Sequence, residues 1–232
     1  GSYNSAFGNN SLYGNQTGND NSAFGNFSLH LNNNGNNNSA FGSNSLHDNS
    51  FGDNNSAFGY KALYFNNGDD NSAFGYSSLS NNISGLYNSA FGEKSLLTNT
   101  DGSRNSAFGS SAMNDNASGH DNSAFGYHSS YNNTMNYNCS FGAYTLDTNK
   151  YGINNSAFGY SALGNNYSGN NNCAFGSFSG SNLTTGNNNI VIGINTNVPS
   201  GSSDNQIRLG NTSVTYAGTQ VAWTVTSDRR LK

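Results

Sequence analysis

Apolar residues recur at a fixed interval along this chain, in a background rich in Asn, Ser and Gly. A short phrase, most often Asn-Ser-Ala-Phe-Gly, returns thirteen times and nearly always after 17 residues. Its apolar position holds Phe eleven times, then Ile192 and Leu209. A second apolar column, mostly Leu, follows five residues later, as at Leu29 and Leu46. A strict short period is typical of stacked coils, so the pattern predicts a solenoid.

Each unit contains two short apolar pieces separated by Asn- and Gly-rich turns. Helical spacing is missing and the Gly density disfavours a helix, so we predict two short strands per coil. Side chains alternate across a strand, so Ser and Phe should point one way and Asn and Ala the other. We expect the Phe side to face the interior, where stacked rings supply most of the buried apolar surface. This predicted core comprises Phe24, Phe41, Phe58, Phe74, Phe91, Phe108, Phe125, Phe158 and Phe175.

The predicted fold is therefore all-β, a parallel β-solenoid or β-roll with 17-residue coils. Thirteen coils spaced by ~4.8 Å give a rod on the order of 60 Å long. A coil this thin leaves apolar faces exposed, and we expect three identical chains around a common axis to cover them. Four segments are predicted: the coil shaft 1–186, terminal or transition coils 187–210, a β-rich connector 211–226 and a separate motif 227–232.

Two polar columns carry further expectations. The Gly after every Phe suggests a positive φ or a tight backbone contact. The many Asn residues are explained either by side-chain hydrogen-bond ladders between coils or by ordinary turn chemistry.

The period shortens to 16 residues between Phe58 and Phe74 and between Phe125 and Phe141. In the second case Ser130 occupies the Leu column, with Tyr131 as a candidate replacement, and we predict an irregular turn or small bulge at 130–138.

Composition excludes several functional classes. Only 9% of residues are charged and 33% are hydrophobic, which would suggest disorder, but 15 Phe and 14 Tyr, with the Phe held in register, argue for a fold. A net charge of −4 without a basic patch argues against nucleic acid, and no apolar run reaches the ~20 residues needed for membrane insertion. Cys139 and Cys173 lie two coils apart, ~10 Å in this geometry, which exceeds the ~7 Å limit for a disulfide.

Candidate chemistry is sparse. No paired carboxylates, phosphate loop or catalytic triad is evident, so we predict no cofactor and no enzyme. Asp69 and Asp70 among Asn residues could bind a hard cation, although solvated turn acids explain them as well, and no metal is predicted. An exposed aromatic ridge is predicted in the column after Phe-Gly, where it contacts a host-surface glycan or receptor, or instead covers turns or a subunit interface. Its members are Tyr60, Tyr76, Tyr127 and Tyr160.

The repeat, as in the segment 158–163 with its Phe-Gly-Tyr-Ser-Ala-Leu sequence, resembles the shaft repeats of phage and large-virus tail-fibre proteins. The terminal Ser-Asp-Arg-Arg-Leu-Lys, residues 227–232, resembles the start of the endosialidase-type intramolecular chaperone that follows such fibres. This resemblance implies autocleavage at Thr226–Ser227, with Ser227 as nucleophile and Lys232 as its base. The chain stops at Lys232, so we expect an inactive, flexible tail. The repeats are also similar to the heads of trimeric bacterial adhesins.

The resulting hypothesis is a non-catalytic shaft segment of a homotrimeric viral or phage fibre, involved in host attachment and located on the virion. The alternative is a bacterial surface adhesin with the same mechanics. A third class is an ice-binding solenoid, although the Thr-x-Thr array expected for it is missing. Because the chain opens inside a repeat, we also expect it to be part of a longer protein.

Overall fold

The computed structural model describes residues 1–215, and in this part thirteen three-residue strands form one parallel sheet. The β-rich connector was predicted at 211–226. Residues 211–215 contain a turn and no strand, and the remainder of that segment, like the predicted Ser227 and Lys232 pair, lies outside the described residues. The strands are β1 Ser5–Phe7, β2 Ser22–Phe24, β3 Ser39–Phe41, β4 Ser56–Phe58, β5 Ser72–Phe74, β6 Ser89–Phe91, β7 Ser106–Phe108, β8 Ser123–Phe125, β9 Cys139–Phe141, β10 Ser156–Phe158, β11 Cys173–Phe175, β12 Ile190–Ile192 and β13 Ile207–Leu209.

Each strand pairs with the next one in the sequence, and equivalent residues stand opposite one another. Ala23 pairs with Ala40, for example, and Phe24 pairs with Phe41. The same register continues through both 16-residue coils, where Phe58 pairs with Phe74 and Phe125 with Phe141. The predicted parallel solenoid with columns of identical residues is therefore confirmed.

The second predicted strand is wrong: the piece containing the Leu column is a turn. In the coil after β2, Phe27 and Leu29 have φ values of 56° and 47°, and the equivalent residues of other coils repeat this left-handed conformation. Two left-handed residues so close together prevent an extended chain. The turns still bond from coil to coil, since the amide of Leu29 donates to the carbonyl of Ser45 at 3.0 Å.

The predicted Phe core is also wrong in the single chain, although the predicted alternation is correct. Ala and Asn face the interior, whereas Ser and Phe face outward. Ala107 is fully buried, as are its equivalents from Ala23 to Ala174, and the Leu column closes the same core. None of the Phe residues predicted as core is buried. They are Phe24, Phe41, Phe58, Phe74, Phe91, Phe108, Phe125, Phe158 and Phe175.

Coil size explains this arrangement. Each coil repeats every ~4.8 Å and must fill its own cross-section with its own side chains. Seventeen residues enclose room for one Ala, one Leu and a few small polar groups. A ring in every coil would force the turns away from the strand, so the methyl group of Ala faces inward and the ring packs outside.

The Asn residues form both the predicted ladders between coils and the predicted turn hydrogen bonds. The Asn49 side-chain amide donates to Asn32 Oδ1 in the preceding coil at 2.9 Å, and to the Gly52 carbonyl in its own turn at 2.8 Å. A second ladder uses the Asn of the phrase: the backbone amide of Asn38 donates to Asn21 Oδ1 at 2.9 Å. These Asn residues are fully buried. Because buried amides are costly unless bonded, the ladders make a polar interior stable.

The Gly after Phe meets both predicted demands. Gly92 has a φ of 135°, and a Cβ placed on it would lie 2.5 Å from the carbonyl oxygen of Gly109 in the next coil. Any side chain there would combine backbone strain with a clash against rigid backbone. The column therefore forms a flat strip next to the Phe residues.

The second 16-residue coil interrupts the core, while the strand register stays intact. Buried hydroxyls replace the apolar residues: Ser129 Oγ lies 2.7 Å from Ser140 Oγ and 2.9 Å from Thr145 Oγ1, and Ser130 Oγ lies 2.8 Å from Ser140 Oγ. Tyr131 does not fill the gap, because its ring stacks on His128. The apolar core accordingly divides into two clusters, one ending at residue 124 and the other beginning at residue 146.

The side-chain amide ladder breaks at the same place. Asn138 donates to Asn133 Oδ1 at 2.9 Å, and Asn133 donates to the Met135 carbonyl. Asn116 Oδ1, which the equivalent Asn would otherwise satisfy, is buried without a partner among the described residues. The irregularity predicted for 130–138 thus affects the coil interior and the turn that leads to β9, while the strand pairing continues unchanged.

Candidate functional site

The outer face of the sheet carries a long stripe of stacked Phe rings. We call it the Phe stripe; it consists of Phe24, Phe41, Phe58, Phe74, Phe91, Phe108, Phe125, Phe141, Phe158 and Phe175. Neighbouring centroids are 4.5–5.1 Å apart and the ring planes differ by only 3–6°. The stack follows directly from the strand register, which places every Phe above the next.

The two columns that flank the Phe stripe hold small, uncharged residues. Ser22 and its half-buried equivalents form a hydroxyl column on one side, with Cys139 and Cys173 among them. The Gly strip lies on the other side. Ile192 and Leu209 extend the apolar column beyond the last Phe, at 42% and 53% exposure. Such a surface can be covered closely by another flat apolar surface.

The exposed area of the stripe is large for a free surface. Phe58 remains 37% exposed and Phe175 45%, while Phe108 and several others are half-buried. Ten rings, each exposing roughly a third of the ~200 Å² that an aromatic side chain offers, give on the order of 700 Å². This exceeds the ~300–600 Å² of the largest apolar patch on a typical monomer.

The predicted Tyr ridge is exposed but is not one continuous column. Tyr60 and Tyr76 stack with centroids 5.4 Å apart. Tyr127 and Tyr160 are instead linked through Tyr144, whose ring makes edge contacts at 5.4 Å and 5.9 Å. Sequence reasoning missed Tyr144 because it occupies the next column along, and only the turn geometry brings the three rings together.

Charged groups are few in the described part of the chain, and some of them are paired. The guanidinium of Arg104 donates to both carboxylate oxygens of Asp121, at 2.6 Å and 2.9 Å, and this hydrogen bonding lowers the pKa of Asp121. Burial raises the pKa of Asp147, and the charge of His128 opposes that shift. Asp147 Oδ1 lies 3.8 Å from His128 Nδ1, too far for a hydrogen bond, and has no other partner among the described residues.

The metal and thiol candidates do not assemble into a site. Asp69 Oδ1 accepts a hydrogen bond from the backbone amide of Asp53 at 2.8 Å, so this carboxylate stabilises the turn of the preceding coil. Within residues 1–215 no three His, Cys, Asp or Glu side chains come together as metal ligands. Cys139 and Cys173 are free thiols, separated by Ser156 in the sheet, and burial raises the pKa of both.

The described residues contain no helix long and apolar enough to cross a bilayer. Comparison with known proteins adds no identity: no protein-family model matches the chain, and no curated protein matches it either.

Proposed function

We propose that this chain is a structural, non-catalytic shaft segment of a trimeric viral or phage fibre that takes part in host attachment. The Phe stripe is the observation that carries the proposal. It runs along the rod over ten successive coils, is uncharged, and repeats at the strand spacing. A surface of on the order of 700 Å² is close to the ~800 Å² that each partner contributes to a standard protein interface.

Three chains arranged around an axis parallel to the rod can bury the Phe stripe of every chain. Each Phe ring then meets the equivalent rings of both partners at the same height, because all three chains have the same coil spacing. The adjacent Gly strip has no side chains that would hold the backbones apart. A closed threefold arrangement covers the stripe on every chain equally and leaves no copy of it exposed.

Mass in solution tests this proposal. We expect sedimentation or native mass spectrometry to give three times the 24.5 kDa of the chain. Replacing Phe91 and Phe108 by Ser should shift the population to monomer while the circular dichroism of the solenoid persists. The matched control replaces Tyr151 and Tyr167 by Ser, since both rings are 46% exposed and lie about half a coil along the chain from the stripe. A wild-type chain that stays monomeric at micromolar concentration would refute the proposal.

Maturation by a C-terminal intramolecular chaperone is part of the proposal and is supported by the motif at 227–232. Its test is a longer chain that continues through the downstream domain. Cleavage should occur at Thr226–Ser227, and Ser227→Ala or Lys232→Ala should leave the precursor uncut. A bacterial adhesin head would share the trimer but would be followed by a membrane anchor instead of a self-cleaving domain.

A further inference from the structure

Two surface grooves of similar size lie at the two 16-residue coils. The first, which we call notch A, has a volume of about 460 Å³ and is lined by Asp48, Phe65, Asn67, Asn81, Ile83 and Thr100, among others. The second, notch B, has about 400 Å³ and is lined by Asp115, Asn132, Thr134, Thr148, Lys150 and Tyr167. Both volumes fall in the range of small-molecule sites, ~300–1,000 Å³.

The two notches use the same positions of the repeat. Their linings come from residues seven to nine places after the Phe, in four consecutive coils that include the shortened one. The missing residue explains the position of each notch. A regular coil has two residues between its ladder Asn and the turn Gly, as between Asn49 and Gly52, whereas Asn66 and Gly68 are separated only by Asn67. The shorter turn leaves the surface recessed between longer neighbours.

The chemistry of the linings is also shared. An Asp occupies the same corner in both, at Asp48 and Asp115, and each notch has one well-exposed ring, Phe65 at 45% and Tyr167 at 46%. Notch A adds the apolar side chain of Ile83. An aromatic or aliphatic surface beside a carboxylate suits a ligand that has both C–H faces and hydroxyl groups.

Several polar atoms in the notches still have bonding capacity. Asn81 donates its amide to the Leu97 carbonyl, which leaves Asn81 Oδ1 to accept. Asn67 Oδ1 accepts the backbone amide of Ser50, which leaves its NH₂ group to donate. In notch B, Asn132 likewise donates to the Asp147 carbonyl and keeps Oδ1. Each notch therefore offers fixed donors or acceptors next to an apolar wall.

We infer that notches A and B are two equivalent binding sites for an uncharged pyranose unit. The C–H face of the sugar packs on Phe65 or Tyr167, and its hydroxyl groups bond to the Asp carboxylate and the Asn amide. In notch A an anionic sugar is disfavoured because Asp48 would repel it, whereas in notch B Lys150 offsets the charge of Asp115. The notches lie about half a coil along the chain from the Phe stripe, so binding does not depend on the trimer proposed above.

The spacing of the notches suggests a polymeric ligand. Phe58 and Phe125 begin the two shortened coils and are four coils apart, which corresponds to ~19 Å along the rod. A polysaccharide strand lying parallel to the rod would reach both sites. Joining two weak sites in this way raises the apparent affinity by the effective concentration of the second sugar.

The test is a titration of the folded chain with three methyl glycosides, those of glucose, galactose and N-acetylglucosamine, followed by saturation-transfer NMR. For ligands this small we expect a Kd on the order of 1 mM for at least one of them. The methyl glycoside of glucuronic acid should bind notch A at least tenfold more weakly, because Asp48 is the only charged side chain that lines it. An oligosaccharide of the best sugar, long enough to span both notches, should bind at least tenfold more tightly.

Lengthening the short coils provides the matched variants. Inserting Ser after Asn67 and after Thr134 restores 17 residues to each coil and should abolish binding, while either insertion alone should halve the stoichiometry. A second pair, Phe65→Ser with Tyr167→Ser, changes exposed rings without altering coil length and should weaken binding at least fivefold. Tyr87→Ser serves as the control and should bind like wild type, because Tyr87 is 58% exposed and lines neither notch.

Circular dichroism and mass would establish that each variant keeps the solenoid, and the second pair replaces the insertions if these fail to fold. The inference is overturned if folded wild type binds none of the three uncharged glycosides, or if binding survives the ring replacements unchanged. Neither outcome would alter the mass of the chain in solution, so failure here is distinct from failure of the fibre proposal.

Discussion

Removing one buried amide from the ladder should destabilise the solenoid more than its polar character suggests. Asn99 is fully buried; its side chain donates to Asn82 Oδ1 at 2.7 Å and to the Gly102 carbonyl at 2.9 Å, and it accepts from Asn116 at 3.3 Å. Asn99→Ala removes all three bonds and leaves Asn82 Oδ1 buried without a donor. At about 1 kcal/mol for each of the bonds with Gly102 and Asn116, and 1–3 kcal/mol for the orphaned acceptor on Asn82, we expect a loss of about 3–5 kcal/mol.

Hydrogen exchange is the suitable assay, because stacked repeats open locally and a single global transition is not guaranteed. Backbone amides in the coils around Asn99 should lose roughly 100-fold or more in protection, since 1.4 kcal/mol corresponds to a factor of ten in an opening equilibrium. The control is Asn165→Ala, because Asn165 is exposed and donates one bond, to the Ser181 carbonyl. Both variants should be measured at the wild-type chain concentration.

A Phe-based core would predict the opposite, namely a nearly silent Asn99→Ala. If Asn99→Ala and Asn165→Ala both cost less than about 1 kcal/mol, the ladder is not a major source of stability, and the reasoning fails.

Three further predictions concern the interior and its boundaries. Gly92→Ala should cost about 3 kcal/mol or prevent folding, through backbone strain and the clash with Gly109, whereas Ser110→Ala should melt like wild type. Ser130→Leu combined with Ser140→Ala restores the common pattern and should stabilise by about 1.5–3 kcal/mol in urea denaturation; an unchanged or lower midpoint would contradict the buried-hydroxyl account. Asp147→Asn should stabilise by about 0.5–1 kcal/mol at pH 7. Because burial raises the pKa of Asp147, its ionised form is penalised as pH rises through that pKa, so the advantage should vanish near pH 3, below the ~3.9 of a free Asp; a pH-independent gain would argue against this cause.

The repeat was sufficient to predict the architecture. The spacing from Phe24 to Phe41 implies one residue of each type per coil, and a stack of coils is the arrangement in which such columns form. Side-chain alternation also followed from the sequence, since a strand has a period of two whatever its surroundings.

Which face is inside could not be predicted in the same way. Ala107 and Phe108 are adjacent and both apolar, so hydrophobicity alone favours the larger ring as core. The outcome is decided by how much room the turns leave, and this depends on left-handed residues such as Leu96 with a φ of 49°. Leu rarely adopts that conformation, and the sequence gives no local sign of it.

The notches, too, could be predicted only in part from the sequence. The 16-residue spacings are visible in the sequence and predicted an irregularity, but a shortened turn becomes a recess only relative to its neighbours. Phe65 and Tyr167 occupy different columns, and Asp48 and Asp115 come to the same corner of their notches only because four coils are stacked.

The interrupted interior at the second 16-residue coil has a mechanical consequence. The apolar core is interrupted between residues 124 and 146, and the side-chain amide ladder is broken between Asn116 and Asn133, so the backbone hydrogen bonds and the second Asn ladder carry most of the load there. If the rod is stretched between its ends, it should part first at this joint, and each flanking block should then unravel as a separate event. A fibre built this way would yield in steps under tension, absorbing work at a defined position before the rest of the shaft gives way.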